Sequence, residues 1–326
     1  MICLNGCKVD RKAIVNKTEK KVRLAIISDS KQEKDLTGPT NFFGYGRVRH
    51  FTRKHDNWND NPLPIDPACN FLGTPKLEQI EAQVFQIAQC NFDCWYCFVD
   101  EDRLQPNNEF SGWVSIDDMV EFILRQNVNL IDLSGGQPDL VPEWSLWVLR
   151  SLRDLQLDEK VFVWQDDNLS CNSLRKYLTT GEIEELSSFS NFARVGCFKG
   201  FDEFTFGFNT GRPELFYNNQ FIIMKELLQF GFDIYAYVTF TTPEIDNLDY
   251  RINNFVERLQ KIHPLFPLRT VPLKIVNYTP TSLRLTEDKI KSFDLQFHVL
   301  EKWNEVLQKN YSATELAINI TDISIR

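Results

Sequence analysis

The chain has 326 residues, 43% hydrophobic and 25% charged, enough for one large domain or two small ones. It holds no apolar run long enough for a membrane span, and its first residues lack the apolar core and small-residue cleavage site of a secretory signal. Eight cysteines in that context read as reduced thiols rather than disulfides, and the expected location is cytoplasmic.

Charge is unevenly spread over the net −9: residues 1–55 carry 13 Lys and Arg against 5 Asp and Glu, and the remainder 23 against 40. The acidic body argues against broad nucleic-acid binding. Residues 1–79 read as a basic accessory segment. A strand is predicted over 21–28, while Gly38-Pro39 and the Asn-, Asp- and Pro-rich stretch 57–67 mark loops. Arg47, Arg49, His50, Arg53, Lys54 and His55 interleave with Phe42, Phe43, Tyr45 and Phe51. That pattern fits a solvated, partly irregular arm or a contact for a phosphate-bearing or nucleic-acid partner.

From residue 80 strands and helices alternate. A strand over 80–88 leads into Cys90-Asn91-Phe92-Asp93-Cys94-Trp95-Tyr96-Cys97. Ser115 is a candidate N-cap, with Asp117 and Asp118 in the first turn and Met119, Phe122 and Ile123 facing inward. A second strand, 128–133, ends at Ser134-Gly135-Gly136-Gln137-Pro138, and a helix over 143–155 follows, with Trp144, Trp147, Val148 and Leu152 on its core face. Further strands are predicted over 160–165, 192–198, 233–240 and 272–278. The matching helices are 174–186, split at Gly181, then 214–230, stopped by Gly231, 248–263 and 289–307. Six strand–helix pairs in succession predict an α/β fold with a parallel sheet; eight would close a barrel, and six leave it open. The main domain is expected over 80–310, with a C-terminal tail over 311–326.

In such a sheet ligands bind at the carboxyl ends of the strands. The cysteine loop, the glycine pair, Gln165-Asp166-Asp167-Asn168, and Lys199 with Asp202 follow successive strands there. Three closely spaced cysteines are a metal site, since thiolates hold zinc and iron–sulfur clusters, both of which prefer four ligands. Either a fourth ligand comes from Cys69, His50 or His55, giving a structural zinc, or one coordination position stays open.

The spacing C-x3-C-x2-C, followed one helix and one strand later by Gly135-Gly136-Gln137-Pro138, resembles the radical S-adenosylmethionine (SAM) superfamily over about residues 80–280. The resemblance implies a partial (βα)6 TIM-type barrel and a [4Fe-4S] cluster on Cys90, Cys94 and Cys97, with SAM chelating the open iron. It puts Tyr96 in the aromatic position before the last cysteine, and Ser134, Gly135, Gly136 and Gln137 against the SAM amino group. Gln137 stands where the family usually has Glu, keeping a carbonyl acceptor but losing the charge. Asp166, Asp167 or Asn168 falls at the family's ribose contact, and Lys199 or Asp202 at a carboxylate contact. Each has a plain alternative as a polar turn or a surface ion pair. Asn277 and Tyr278 are weaker candidates beside the adenine, and Arg212 for an anionic substrate.

The activity implied is reductive cleavage of SAM to a 5′-deoxyadenosyl radical, with an electron from a donor such as flavodoxin or ferredoxin and hydrogen abstraction from a substrate. The substrate classes left open are a glycyl-radical partner protein, a nucleotide or tRNA base, and a small metabolite or peptide. No cysteine lies beyond Cys197, so the cysteine-rich C-terminal extension of many peptide-modifying relatives is missing, and the closest look is to the single-cluster activating-enzyme branch. Cys171 and Cys197 are expected to be small buried residues; Cys3, Cys7 and Cys69 leave a second metal open. The alternative function is a non-catalytic iron–sulfur or zinc-binding redox sensor, with Gln137 marking decayed SAM binding.

Overall fold

Residues 10–325 are described by the computed structural model, so Cys3 and Cys7 lie outside the described residues. In chain order the elements are β1 (Val15–Asn16), β2 (Lys21–Ala25), β3 (Thr40–Asn41), β4 (Gly46–Thr52), α1 (Ile65–Leu72), β5 (Gln79–Phe85), β6 (Ser111–Ser115), α2 (Ile116–Gln126), β7 (Leu130–Leu133), α3 (Glu143–Asp154), β8 (Phe162–Asp167), α4 (Ser173–Tyr177), α5 (Thr180–Ser188), β9 (Phe192–Phe198), α6 (Glu203–Thr210), α7 (Tyr217–Gln229), β10 (Ile234–Thr239), α8 (Leu248–Gln260), β11 (Thr270–Leu273) and α9 (Glu287–Asn310). The large sheet runs β11-β10-β9-β8-β7-β5-β4-β3. Its six strands from β5 to β11 are parallel, which is the expected open series of six βα units. A small antiparallel sheet, β1-β2-β6, flanks it.

The basic stretch 46–52 is not a solvated arm. It is β4, paired antiparallel along the whole of β5, which extends the parallel run by one strand. Residues of β4 and β11, from opposite ends of that run, line one cavity, so the sheet curls towards closure. The loop after β4 bridges the gap: the Trp58 indole donates to the Pro272 carbonyl at 3.0 Å.

Side chains alternate between two buried layers, as the period of a strand requires. Phe51, Leu130, Phe162, Trp164, Val195, Tyr235, Tyr237 and Val271 face the concave interior, whose floor is plugged by Ile65, Ala68 and Cys69 of α1. Residues such as Ile131, Val163, Phe198 and Val238 face the helices instead. Near the carboxyl ends the interior turns polar, with Arg47, Arg49, Asp132, Asp166 and Lys199 in register with those apolar residues.

Several boundaries differ from expectation. α1 lies in the Pro-rich stretch read as a loop; Pro67 is tolerated because it sits in the first turn, where its missing N–H has no helical partner to lose. The break in 174–186 falls at Thr179, which caps α5 in a reciprocal box with Glu182, and Gly181 sits inside that helix. α6 was not anticipated: its Phe- and Gly-rich sequence is a poor helix former, started by the Asp202 cap and ended by left-handed Gly211 (φ 65°). The last parallel strand is the shorter Thr270–Leu273. Among the described residues no helix is long and apolar enough to cross a membrane.

Candidate functional site

The cysteine loop leaves β5 and is held on three sides. Asp93 N–H donates to the Thr210 carbonyl (3.1 Å) and Trp95 N–H to the Asn209 carbonyl (3.2 Å), docking the loop on α6. Arg284, nearly two hundred residues away, donates to the Cys97 carbonyl (2.9 Å) and the Val99 carbonyl (3.0 Å). On the third side the Asn168 amide reaches Cys90 Sγ at 3.7 Å and Asn91 Oδ1 at 2.9 Å.

The thiols lie within electrostatic range of one another and of Lys199. Burial pushes Cys90 up to about 11 and Cys94 up to about 12, only partly opposed by Lys199, so both are neutral thiols at pH 7 and must lose protons to bind metal. Burial lowers the Lys199 pKa, while Cys197, Tyr96, Cys94 and Cys90 around it, once ionised, raise it, and the net shift is upward. Among the described residues no three His, Cys, Asp or Glu side chains converge to chelate one ion. A multi-iron cluster held one thiol per iron does not require that convergence. The proposed fourth zinc ligands are engaged elsewhere: Cys69 packs in the barrel floor, His50 bonds the Thr37 carbonyl at 3.0 Å, and His55 lines the lateral cavity.

The glycine pair abuts this loop. Gly135 and Gly136 have φ of 81° and 66°, and a Cβ on Gly136 would stand 2.4 Å from the Ile87 carbonyl and 2.6 Å from that of Gln89. Only glycine satisfies both the left-handed backbone and the close approach. Gln137 N–H then donates to the Gln89 carbonyl at 2.8 Å. The Gln137 side chain is buried; its amide donates to Asp167 (2.8 Å) and its carbonyl accepts from Asn168 N–H (2.9 Å). Both ends of the side chain, including the carbonyl expected to accept from the SAM amino group, therefore tie the glycine turn to the end of β8.

Alternation separates the neighbouring aspartates. Asp166 faces the interior and accepts from Ser134 Oγ at 2.8 Å. Asp167 faces the helices, where Arg194 pairs with it (3.2 Å) and with Asp139 (2.7 Å). Burial, then the Asp139 charge, raise the Asp167 pKa to about 7 against the pull of Arg194. Tyr96 is buried, with its hydroxyl 3.4 Å from Thr239 Oγ1 and its ring beside Trp95.

Thus the carboxyl ends bring together Cys90, Cys94, Cys97, Tyr96, Ser134, Gly135, Gly136, Gln137, Asp166, Asn168 and Lys199. Other candidates go elsewhere. Asp202 caps α6 and pairs with Arg251, Arg212 pairs with Asp93 at 2.7 Å, and Asn277 is an exposed acceptor for Ser282. Tyr278 stacks edge-on against Phe98, at 6.0 Å between ring centroids, and lines the lateral cavity. Cys171 is buried beside Ser173, and Cys197 is buried on the interior face. Sequence reasoning missed Arg284 and Asp132. Asp132 had a visible signal, a lone charge in the apolar strand 128–133; Arg284 had none.

No protein-family model matches the chain. A stretch of 71 residues, 21% of this chain, is 32% identical to a probable GTP 3′,8-cyclase of Methanococcus aeolicus, and spans 22% of that protein's length. Among solved structures, SuiB of Streptococcus suis bound to S-adenosylmethionine has a TM-score of 0.40 at 17% identity, covering 55% of this chain and 37% of its own. His-tagged anSMEcpe with bound AdoMet has a TM-score of 0.41 at 14% identity, covering 58% and 48%. At these scores the likenesses are loose, and the weight rests on the motifs: the C-x3-C-x2-C loop and the Gly-Gly turn, packed against each other at the carboxyl ends of six parallel strands. Those motifs are the ones on which the chain resembles the radical S-adenosylmethionine superfamily.

Proposed function

We propose that this chain is a radical SAM enzyme, in which Cys90, Cys94 and Cys97 hold a [4Fe-4S] cluster and the glycine turn receives SAM. The observation that carries the reading is the direct contact of the two motifs, with Gly136 pressed onto the carbonyls of Ile87 and Gln89 at the entrance to the cysteine loop. Held by Cys90, Cys94 and Cys97, such a cluster would supply the one-electron reduction by which SAM is cleaved to a 5′-deoxyadenosyl radical, the species that would take hydrogen from the substrate. The electron comes from a donor such as flavodoxin or ferredoxin, in a cytoplasmic, reducing compartment.

The chain's own residues have separate tasks. Lys199 offsets negative charge on the three thiolates and offers an ammonium to the SAM carboxylate. With the Gln137 side chain committed to β8, contact with the methionine end falls to Ser134, Gly135 and Gly136. Asp166 and Asn168 stand beside that turn as acceptors for ribose hydroxyls, and Tyr96 walls the site against water.

The test is anaerobic reconstitution, reduction with dithionite, and chromatographic detection of 5′-deoxyadenosine from SAM. Product from the wild type but not from Cys94→Ala is expected. Zinc in place of iron after anaerobic purification, or no product from fully loaded protein across the three substrate classes, overturns the reading.

A further inference from the structure

The interior above the apolar floor opens sideways between β4 and β11 as a cavity of about 260 Å³. Arg47 and Arg49 project into it from β4, with Trp58, Phe98, Lys274 and Tyr278 around them. Arg47 is only 4% exposed, and its Nε has no hydrogen-bond partner. No carboxylate among the described residues forms an ion pair with it, and its guanidinium lies 5.4 Å from the Phe98 ring centroid. Across the interior, Asp132 is fully buried, and neither of its oxygens has a hydrogen-bond partner. Arg49 forms an ion pair with it at 3.7 Å, longer than a hydrogen bond.

A buried guanidinium short of hydrogen-bond partners is expensive to hold, so Arg47 in the wall of this cavity marks where an occupant completes the pairing. Both groups carry the signature of desolvation. Burial, reinforced by Arg49, lowers Arg47 to about 9, and burial, reinforced by Asp166, raises Asp132 to about 8. The cavity also adjoins the site described above, because Phe98 follows Cys97 directly and Asp166 accepts from Ser134 of the glycine turn.

We propose that this cavity is the substrate site, where Arg47 and Arg49 bind an oxyanion of a small molecule, phosphate or carboxylate. Its meaning as a substrate site rests on the radical-enzyme reading; the binding itself does not. Two guanidiniums two residues apart on one strand face suit a planar or tetrahedral oxyanion. The aromatic rings beside them suit a flat apolar remainder. An extended RNA surface fits less well, because the two arginines point into the barrel rather than away from it.

The test is calorimetric titration of the full chain, as purified, with inorganic pyrophosphate and separately with succinate. At least one anion is expected to bind, and Arg47→Gln to weaken it about tenfold or more, the loss of a charge-assisted contact. Cys94→Ala should bind as the wild type does, so failure of the radical chemistry and failure of this site are read independently. Pyrophosphate alone identifies a phosphate group, succinate alone a carboxylate, and both a general oxyanion site. If Arg47→Gln does not fold, Arg47→Lys, which keeps the charge but loses the fork, should show intermediate weakening. Absence of binding to the wild type, equal affinity in the Arg47 variants, or tRNA binding that is lost in them while neither small anion binds would overturn the proposal.

Discussion

Asp166 and Asp167 are adjacent on one strand and belong to different worlds. Asp167 lies between sheet and helices in a closed network with Arg194, Asp139 and Gln137. Asp166 lies in the barrel interior, in the same polar layer as Arg47, Arg49 and Asp132, where Arg47 Nε and both Asp132 oxygens are left without hydrogen bonds. The outer network spends its polar groups on holding β7, β8 and β9 together beneath the site. The inner layer keeps its groups available, at a cost in stability. Buried charge is thus architectural on one face and receptive on the other, and paired versus orphaned geometry tells the two apart.

The sharpest way to break that comparison is Asp167→Ala. It removes one of the two carboxylates on buried Arg194 and frees Gln137, and should cost about 3 kcal/mol in thermal or denaturant unfolding. Asp166→Ala, which removes one hydrogen bond beside a cavity, should cost about 1 kcal/mol. Equal losses would erase the distinction.

Next in size is Gly136→Ala, which sets a Cβ against two carbonyls at positive φ. About 1–3 kcal/mol of destabilisation is expected from the backbone strain, with loss of SAM binding by equilibrium dialysis. Normal SAM affinity in this variant would detach the turn from the cofactor.

Gln137→Glu restores the residue usual in the family but turns a carboxylate onto Asp167. Its stability should fall below that of the wild type by about 1–3 kcal/mol at pH 8. The deficit should shrink on acidification, as one carboxyl takes a proton. A variant as stable as the wild type at pH 8 would show that Asp167 does not dictate Gln at this position.

The smallest effect is expected from Asp132→Asn. In the folded chain Asp132 titrates at about 8 rather than 3.8, so between those values the folded state holds a proton that the unfolded state releases. Its contribution therefore falls as pH rises across that window and is level below it. Asp132→Asn should flatten the pH–stability profile and be more stable than the wild type by roughly 1 kcal/mol at pH 8. An unchanged slope would mean that Asp132 is paired after all.

Local pattern determined much of this protein by itself. Hydrophobic periodicity marked the six strands and most helices that pack on them, because the order of apolar residues is what an element buries. The cysteine spacing and the paired glycines marked the site, because thiolate chemistry and positive φ each admit few residue types. Elements whose stability comes from packing were not legible. α6 and α1 have weak propensities and exist through their caps and their seats in the tertiary fold. The tertiary structure alone decided which side of each strand became interior. That choice sent Asp166 inward and Asp167 outward, turned the basic stretch 46–52 into a wall of the barrel, and set Arg49 against Asp132. It also brought Arg284 onto the cysteine loop. The reason is physical: a strand's period of two says that neighbours face opposite ways, but only the curl of the whole sheet decides which way is in.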